Sequence, residues 1–177
     1  LVKKNISVGL SLGQNSLLEL QNQLSLPDLP RVIECFDVSN LGPSEVVCSM
    51  VQFRDGKPEK NNYRRFKIKS FAGQSDFEAM KEIIYRRYYR ITKEKSKLPD
   101  LIIVDGGKPQ LTAAVTALRQ IGLQLPLVAL AKREEEIFTL NNQYPINLSK
   151  KSASLRLLQK IRDEAHRFAI KYHRLLR

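Results

Sequence analysis

Two cysteines, Cys35 and Cys48, are all that the 177-residue chain contains. They lie among apolar residues with no CxxC spacing and no nearby histidine, which excludes a disulfide framework and suggests no zinc site. No apolar run approaches the length needed to cross a bilayer, and the start carries no signal-peptide pattern. A cytoplasmic setting and no membrane partner are therefore expected. Internal repeats and low-complexity tracts are missing too. Acidic residues are scarce: 18 Asp and Glu stand against 30 Lys and Arg, for a formal charge of +12 and a sequence pI near 9.9. Such an excess favours a polyanion, and with no membrane signal that polyanion is nucleic acid. The 42% hydrophobic content supplies one core without staples. The chain starts at Leu1 and stops inside a basic helical pattern at Arg177, which reads as a piece of a longer protein.

Residues 16–24 carry apolar side chains at helical spacing and run into Pro27 and Pro30, a short helix followed by a breaker. Residues 1–27 are accordingly read as an N-terminal extension and 28–177 as the main domain. Three strands are predicted at 31–38, 46–53 and 62–68, with turns at Leu41-Gly42-Pro43 and Asp55-Gly56. Residues 76–91 predict a helix, with Ser75 as N-cap and Phe77, Met80, Ile83, Ile84 and Tyr88 on one face. The all-apolar run 101–104, broken by Gly106-Gly107, is the pattern of a strand buried on both faces. A helix at 108–121, a strand at 127–130, a loop at 132–150 with a small hairpin near 137–140, and a long helix from about 152 complete the chain. Antiparallel strands first and alternating elements afterwards give an α/β fold. Its mixed sheet, flanked by helices and ending in a long C-terminal helix, has the layout of ribonuclease H-like nucleases.

Asp37 and Asp105 each end a hydrophobic strand, the edge of an α/β sheet where ligands usually sit. If their strands lie side by side and parallel, the two carboxylates converge on one hard cation, Mg²⁺ or Mn²⁺. Either acid alone reads as a turn cap, but the pair in a basic chain reads as a site. His166 adjoins the apolar stripe of the last helix and can face the sheet edge, with Asp163 and Glu164 beside it. Asp76 opens a helix, where an acid is favoured for structural reasons alone. His173 falls to the solvated surface. The Asp105-Gly106-Gly107-Lys108 turn lacks GxxxxGK[ST], so no Walker site is expected, yet Lys108 near a helix start can touch a phosphate. Arg64, Arg65, Arg86, Arg87, Lys132, Arg133, Arg162 and Arg167 are read as candidates to line a groove that tracks a nucleic-acid backbone. Binding there weakens steeply as salt rises.

Four motifs occur in order: Glu34-Cys35-Phe36-Asp37-Val38-Ser39-Asn40, Tyr63-Arg64-Arg65-Phe66, Val104-Asp105-Gly106-Gly107-Lys108 and Ile161-Arg162-Asp163-Glu164-Ala165-His166-Arg167. Together they resemble the C-terminal nuclease half of the UvrC family, over residues 16 to the end. The resemblance implies a ribonuclease H-like endonuclease making the 5′-side incision of nucleotide excision repair in damaged double-stranded DNA. It also implies a catalytic and metal-binding Asp-Asp-His set at Asp37, Asp105 and His166. Asp76 matches a further catalytic acid in the family's Asp-aromatic-x-x-Met segment. The family's GIY-YIG nuclease, UvrB-binding segment and helix-hairpin-helix repeats do not fit in this chain, so UvrB is a partner only through a segment not present here. Pro109 and the segment 150–154 depart from the family pattern, away from the proposed ligands. Two rival readings remain: a catalytically silent DNA-binding scaffold, and a transposase- or resolvase-type nuclease using Asp163 or Glu164 in place of His166.

Overall fold

A computed structural model describes residues 12–40, 46–68 and 75–176. The turn predicted at Leu41-Gly42-Pro43 and the side chain of His173 lie outside the described residues. In chain order the elements are α1 (Leu12–Gln23), β1 (Val32–Asn40), β2 (Val46–Arg54), β3 (Lys57–Pro58), a 3-10 turn (Lys60–Asn62) and β4 (Arg64–Lys67). They continue with α2 (Asp76–Glu94), β5 (Leu101–Asp105), α3 (Lys108–Ile121), β6 (Leu127–Leu130), β7 (Ile137–Thr139) and α4 (Ala153–Leu176).

The sheet order is β3-β2-β1-β5-β6-β7, with β4 also paired to β2. β1 is antiparallel to β2 and parallel to β5, β5 is parallel to β6, and β6 is antiparallel to β7. The strand predicted at 62–68 is shorter, because the outer edge of β2 is shared by two pieces: β3 covers Phe53 and Arg54, and β4 covers Val47 to Met50. Past Pro58 the Glu59 N–H still reaches the Gln52 carbonyl at 2.8 Å, after which the chain leaves the edge and returns following the 3-10 turn. The tight turn between β2 and β3 uses Asp55 and Gly56 at positive φ, 52° and 80°, as Asp-Gly hairpins prefer.

Helices cover both faces. α2 and α3 pack Met80, Ile83, Ile84, Leu111, Ala114 and Leu118 onto Phe36, Met50, Ile102 and Val104. α1 and α4 pack Leu17, Leu20, Leu158, Ile161 and Ala165 onto Ile33, Cys35, Val51, Phe53, Leu101 and Ile103. The helix placed in the segment before residue 28 thus shares the core, and Ser154 of α4 donates to Glu19 of α1 at 3.1 Å. α2 starts where its cap was predicted, with Ser75 Oγ accepting from the Glu78 N–H at 3.3 Å. Because strand side chains alternate, odd-numbered residues of β1 and β5 face α4 and even-numbered ones face α2 and α3. That parity decides where every polar side chain of these two strands goes.

On the α2 face it buries Glu34, 1% exposed. Its carboxylate accepts from Tyr88 Oη at 2.7 Å, Gln52 Nε2 at 2.7 Å and Arg87 Nη2 at 2.9 Å, and Asn62 donates in turn to Gln52 at 2.7 Å. Burial and the Glu34 charge push the Tyr88 hydroxyl well above its ordinary pKa. Removing one partner of a buried ion pair leaves an uncompensated charge. Arg87→Ala is expected to lower the unfolding free energy by about 3 kcal/mol in urea titration with an unchanged m-value. A loss within experimental error would show that the pair carries no stability.

Candidate active site

The last parallel pair of β1 and β5 is Phe36 with Val104. One residue further along each strand stand Asp37 and Asp105, both odd-numbered and both on the α4 face. The register continues on either side. Asp105 pairs with Leu130 of β6, and Leu130 with Ile137 of β7. Asp37 pairs with Ser49 of β2, and Ser49 with Arg65 of β4. A single row of side chains therefore crosses the sheet, with two acids at its centre. Their side chains are only 7% and 5% exposed.

Burial raises the Asp105 carboxyl to a pKa of about 6, with the charge of Asp37 as the next cause. Lys132, Arg162 and His166 offset this only in part. Lys132 Nζ lies 3.9 Å from Asp105 Oδ2 and is itself exposed. The turn that follows Asp105 depends on glycine: Gly106 has φ +145°, and a Cβ there would stand 2.7 Å from the Gln110 side chain. Gln110 Oε1 accepts from the Gly107 N–H at 3.1 Å, which ties the first turn of α3 to the strand end.

α4 brings the third group. Ala165 and Ala169 are buried, and these small side chains let the helix lie close to the sheet rim. His166 sits there, half exposed, with Nδ1 3.4 Å from Asp37 Oδ2. Of the three side chains the sequence grouped, the structure sets His166 against Asp37 and puts Asp105 at the end of the neighbouring parallel strand. Asp76 is different. It is exposed at the first turn of α2, a helix that packs on the other face, and is not among the charges acting on Asp105.

The basic residues separate by their partners. Arg65 is exposed, with its guanidinium 4.3 Å from the Phe168 ring centre and 5.1 Å from that of Tyr172. Arg64, Lys108 and Arg133 are exposed, Arg64 donating to the Asn61 and Tyr63 carbonyls and Lys108 to that of Gln143. Arg86 binds the Lys67 carbonyl and pairs with Glu82. Arg167 grips Glu164, which also accepts from Tyr63 Oη at 3.1 Å. Two assignments do not fit a backbone-tracking surface. Arg87 is engaged by buried Glu34, and Arg162, 12% exposed, is held by Glu135 at 2.8 Å. Charge alone could not reveal these partners. Sequence reasoning also passed over Ser49, whose one signal is a hydroxyl amid the apolar residues of β2.

Two carboxylates and an imidazole are donors that suit a divalent cation, and two buried like charges side by side favour one. Among the described residues no three His, Cys, Asp or Glu side chains gather closely enough to cage a metal. The fit is that of a two-carboxylate seat with an imidazole at its mouth.

Residues 21–170 match the model of the UvrC RNAse H endonuclease domain. The chain belongs to this family. It is 51% identical over 177 residues to UvrABC system protein C of Methanosarcina barkeri, covering all of this chain and 34% of that protein. It is 53% identical over 161 residues to the same-named protein of Pelodictyon phaeoclathratiforme, covering 91% of this chain and 26% of that one. The chain thus spans about a quarter to a third of the length of the relatives it matches. The solved structure of human ENDOV aligns at 11% identity and a TM-score of 0.48, over 91% of this chain and 98% of that chain. As a UvrC-family endonuclease domain the chain has the ribonuclease H-like mixed sheet expected of it, flanked by helices and closed by a long C-terminal one.

The pKa of Asp105 makes its ionisation a cost to folding. With a folded value of about 6 against 3.8 unfolded, the cost is absent below the unfolded value, grows as pH rises between the two, and is complete above about 6. Asp105→Asn is therefore expected to raise the stability of the metal-free domain at pH 7 by on the order of 3 kcal/mol, with the gap closing near pH 4. Thermal melts of both proteins from pH 4 to 8 measure it. A gap independent of pH, or an Asn variant less stable at pH 7, would show that Asp105 ionises freely.

Proposed function

We propose that this chain is the divalent-metal-dependent DNA endonuclease domain that makes the 5′-side incision of nucleotide excision repair. The observation that carries this reading is the pair of buried carboxylates, Asp37 and Asp105, on adjacent parallel strands with His166 beside them. Relatives bear the name protein C of the UvrABC system, and in keeping with that context the proposed partner of the longer protein is UvrB and its proposed compartment the cytoplasm.

Asp37 and Asp105 would hold Mg²⁺ or Mn²⁺, which when bound supplies positive charge beside the scissile phosphate and acidifies a water for attack. The protein's own groups do the rest. The two carboxylates form an anionic seat already desolvated by the sheet and α4, so no water shell has to be stripped from them as the substrate arrives. Lys132 brings an exposed positive charge to the rim of that seat. Arg65 stands two strands from Asp37, about 10 Å at ordinary strand spacing. Phe168 and Tyr172 hold its guanidinium, which suits a phosphate next to the one being cut. Arg64, Lys108, Arg133 and Arg167 extend the positive surface for the duplex. Asp76 is kept as a further catalytic acid only through its match to the family motif.

His166 turns Nδ1 to Asp37, leaving Nε2 for a proton or for the metal. Metal preference separates the two roles, because nitrogen donors suit Mn²⁺ better than Mg²⁺. As a ligand, His166 gives a Mn²⁺ advantage that His166→Ala erases. As a proton carrier, its loss lowers the rate equally with both metals.

Asp37→Asn is expected to abolish incision of a lesion-bearing duplex by the full-length protein at the 5′ side while leaving DNA affinity equal or higher, since a negative charge beside the phosphates is gone. Normal cutting by this variant, or loss of the cut on the other side of the lesion instead, would overturn the assignment. In wild-type protein at limiting metal, the 5′ cut should fall away below about pH 6, where Asp105 takes up its proton. That limb should move to lower pH as metal is added.

A further inference from the structure

Ser49 has no exposed surface, and among the described residues its Oγ has no hydrogen-bond partner. A buried hydroxyl left unpaired is destabilising, and an alanine would fill the same strand position without that penalty. Its location is specific. Cys48 and Met50 on either side belong to the core under α2 and α3, so Ser49 faces α4, in line with Val51 and Phe53. There it is the direct cross-strand neighbour of Asp37 on one side and of Arg65 on the other. Side chains so paired have Cβ atoms about 5 Å apart, within reach of a hydrogen bond. The Arg65 guanidinium lies over the Phe168 and Tyr172 rings and cannot accept a hydrogen bond. The anionic acceptor in Ser49's row is thus the Asp37 carboxylate.

We infer that Ser49 is a positioning residue for Asp37: its hydroxyl donates to one carboxylate oxygen and turns the other toward the divalent cation shared with Asp105. This rests on the metal-dependent reading above. The unpartnered hydroxyl then completes the shell behind a metal ligand, where such partners usually change affinity by about 10- to 100-fold.

The test compares Ser49→Ala, Ser49→Cys and Ser49→Thr with wild type and Asp37→Asn, reading Mn²⁺ binding by electron paramagnetic resonance alongside the thermal midpoint of the metal-free domain. Ser49→Ala is expected to melt at or above the wild-type temperature while binding Mn²⁺ at least about 10-fold more weakly. Ser49→Cys, which keeps the volume but not the strong donor, should behave likewise. Ser49→Thr should restore affinity to within about threefold, as expected if the hydroxyl carries the effect. Wild-type Mn²⁺ affinity in the Ala and Cys variants, with Asp37→Asn impaired, overturns the role of Ser49 alone. Wild-type affinity in Asp37→Asn as well overturns the metal seat and Ser49 with it. Weak binding in all three serine variants, tracking a lowered melting temperature, would make Ser49 a packing residue.

Discussion

The parallel pairing of β1 with β5 is the constraint on which everything else depends. It aligns Phe36 with Val104, and one step further it sets Asp37 beside Asp105 on the α4 face. A slip of one residue would turn one of the two acids to the opposite face, since strand side chains alternate. The register is held because both strands are buried on both sides, with Ile33, Cys35, Leu101 and Ile103 under α4 and Phe36, Ile102 and Val104 under α2 and α3. A hydrophobic pattern thereby fixes the position of a polar site, and the sheet supplies the desolvation that raises Asp105.

The two faces treat their buried acids in opposite ways. Glu34 meets a complete shell of Arg87, Tyr88 and Gln52, so its charge is balanced within the protein. Asp37 and Asp105 have each other as neighbours, the half-exposed His166, and Lys132 at the long distance of 3.9 Å. Around Glu34 the charge is met by donors within the protein, whereas Asp37 and Asp105 crowd like charge at the sheet edge and so raise the Asp105 carboxyl.

Much of the fold was legible because its signals are local. The cap at Ser75, the Asp55-Gly56 turn, the break at Gly106-Gly107 and the apolar run of β5 each act within a few residues, and each stands where it was read. Asp37, Asp105 and His166 were legible for a related reason, as polar residues ending or flanking apolar patterns. What could not be read depends on contacts between distant segments. Arg87 and Arg162 look like surface cations until Glu34 and Glu135 are placed against them. The short extra strand β3 and the later start of β4 go with Gln52, whose carbonyl accepts from the Glu59 N–H at 2.8 Å and whose side chain accepts from Asn62. Asp76 carries the motif of an acid at the exposed start of a helix whose apolar residues pack on the opposite face of the sheet.

The central claim is that one divalent ion is shared by the ends of two parallel strands. Paramagnetic broadening of backbone amide signals during Mn²⁺ titration of the isotope-labelled domain tests it most directly. Broadening should begin at residues 36–38, 104–107 and 165–167 together, at a single stoichiometry. Broadening that starts instead among Glu134, Glu135 and Glu136 would place the metal elsewhere and contradict the account.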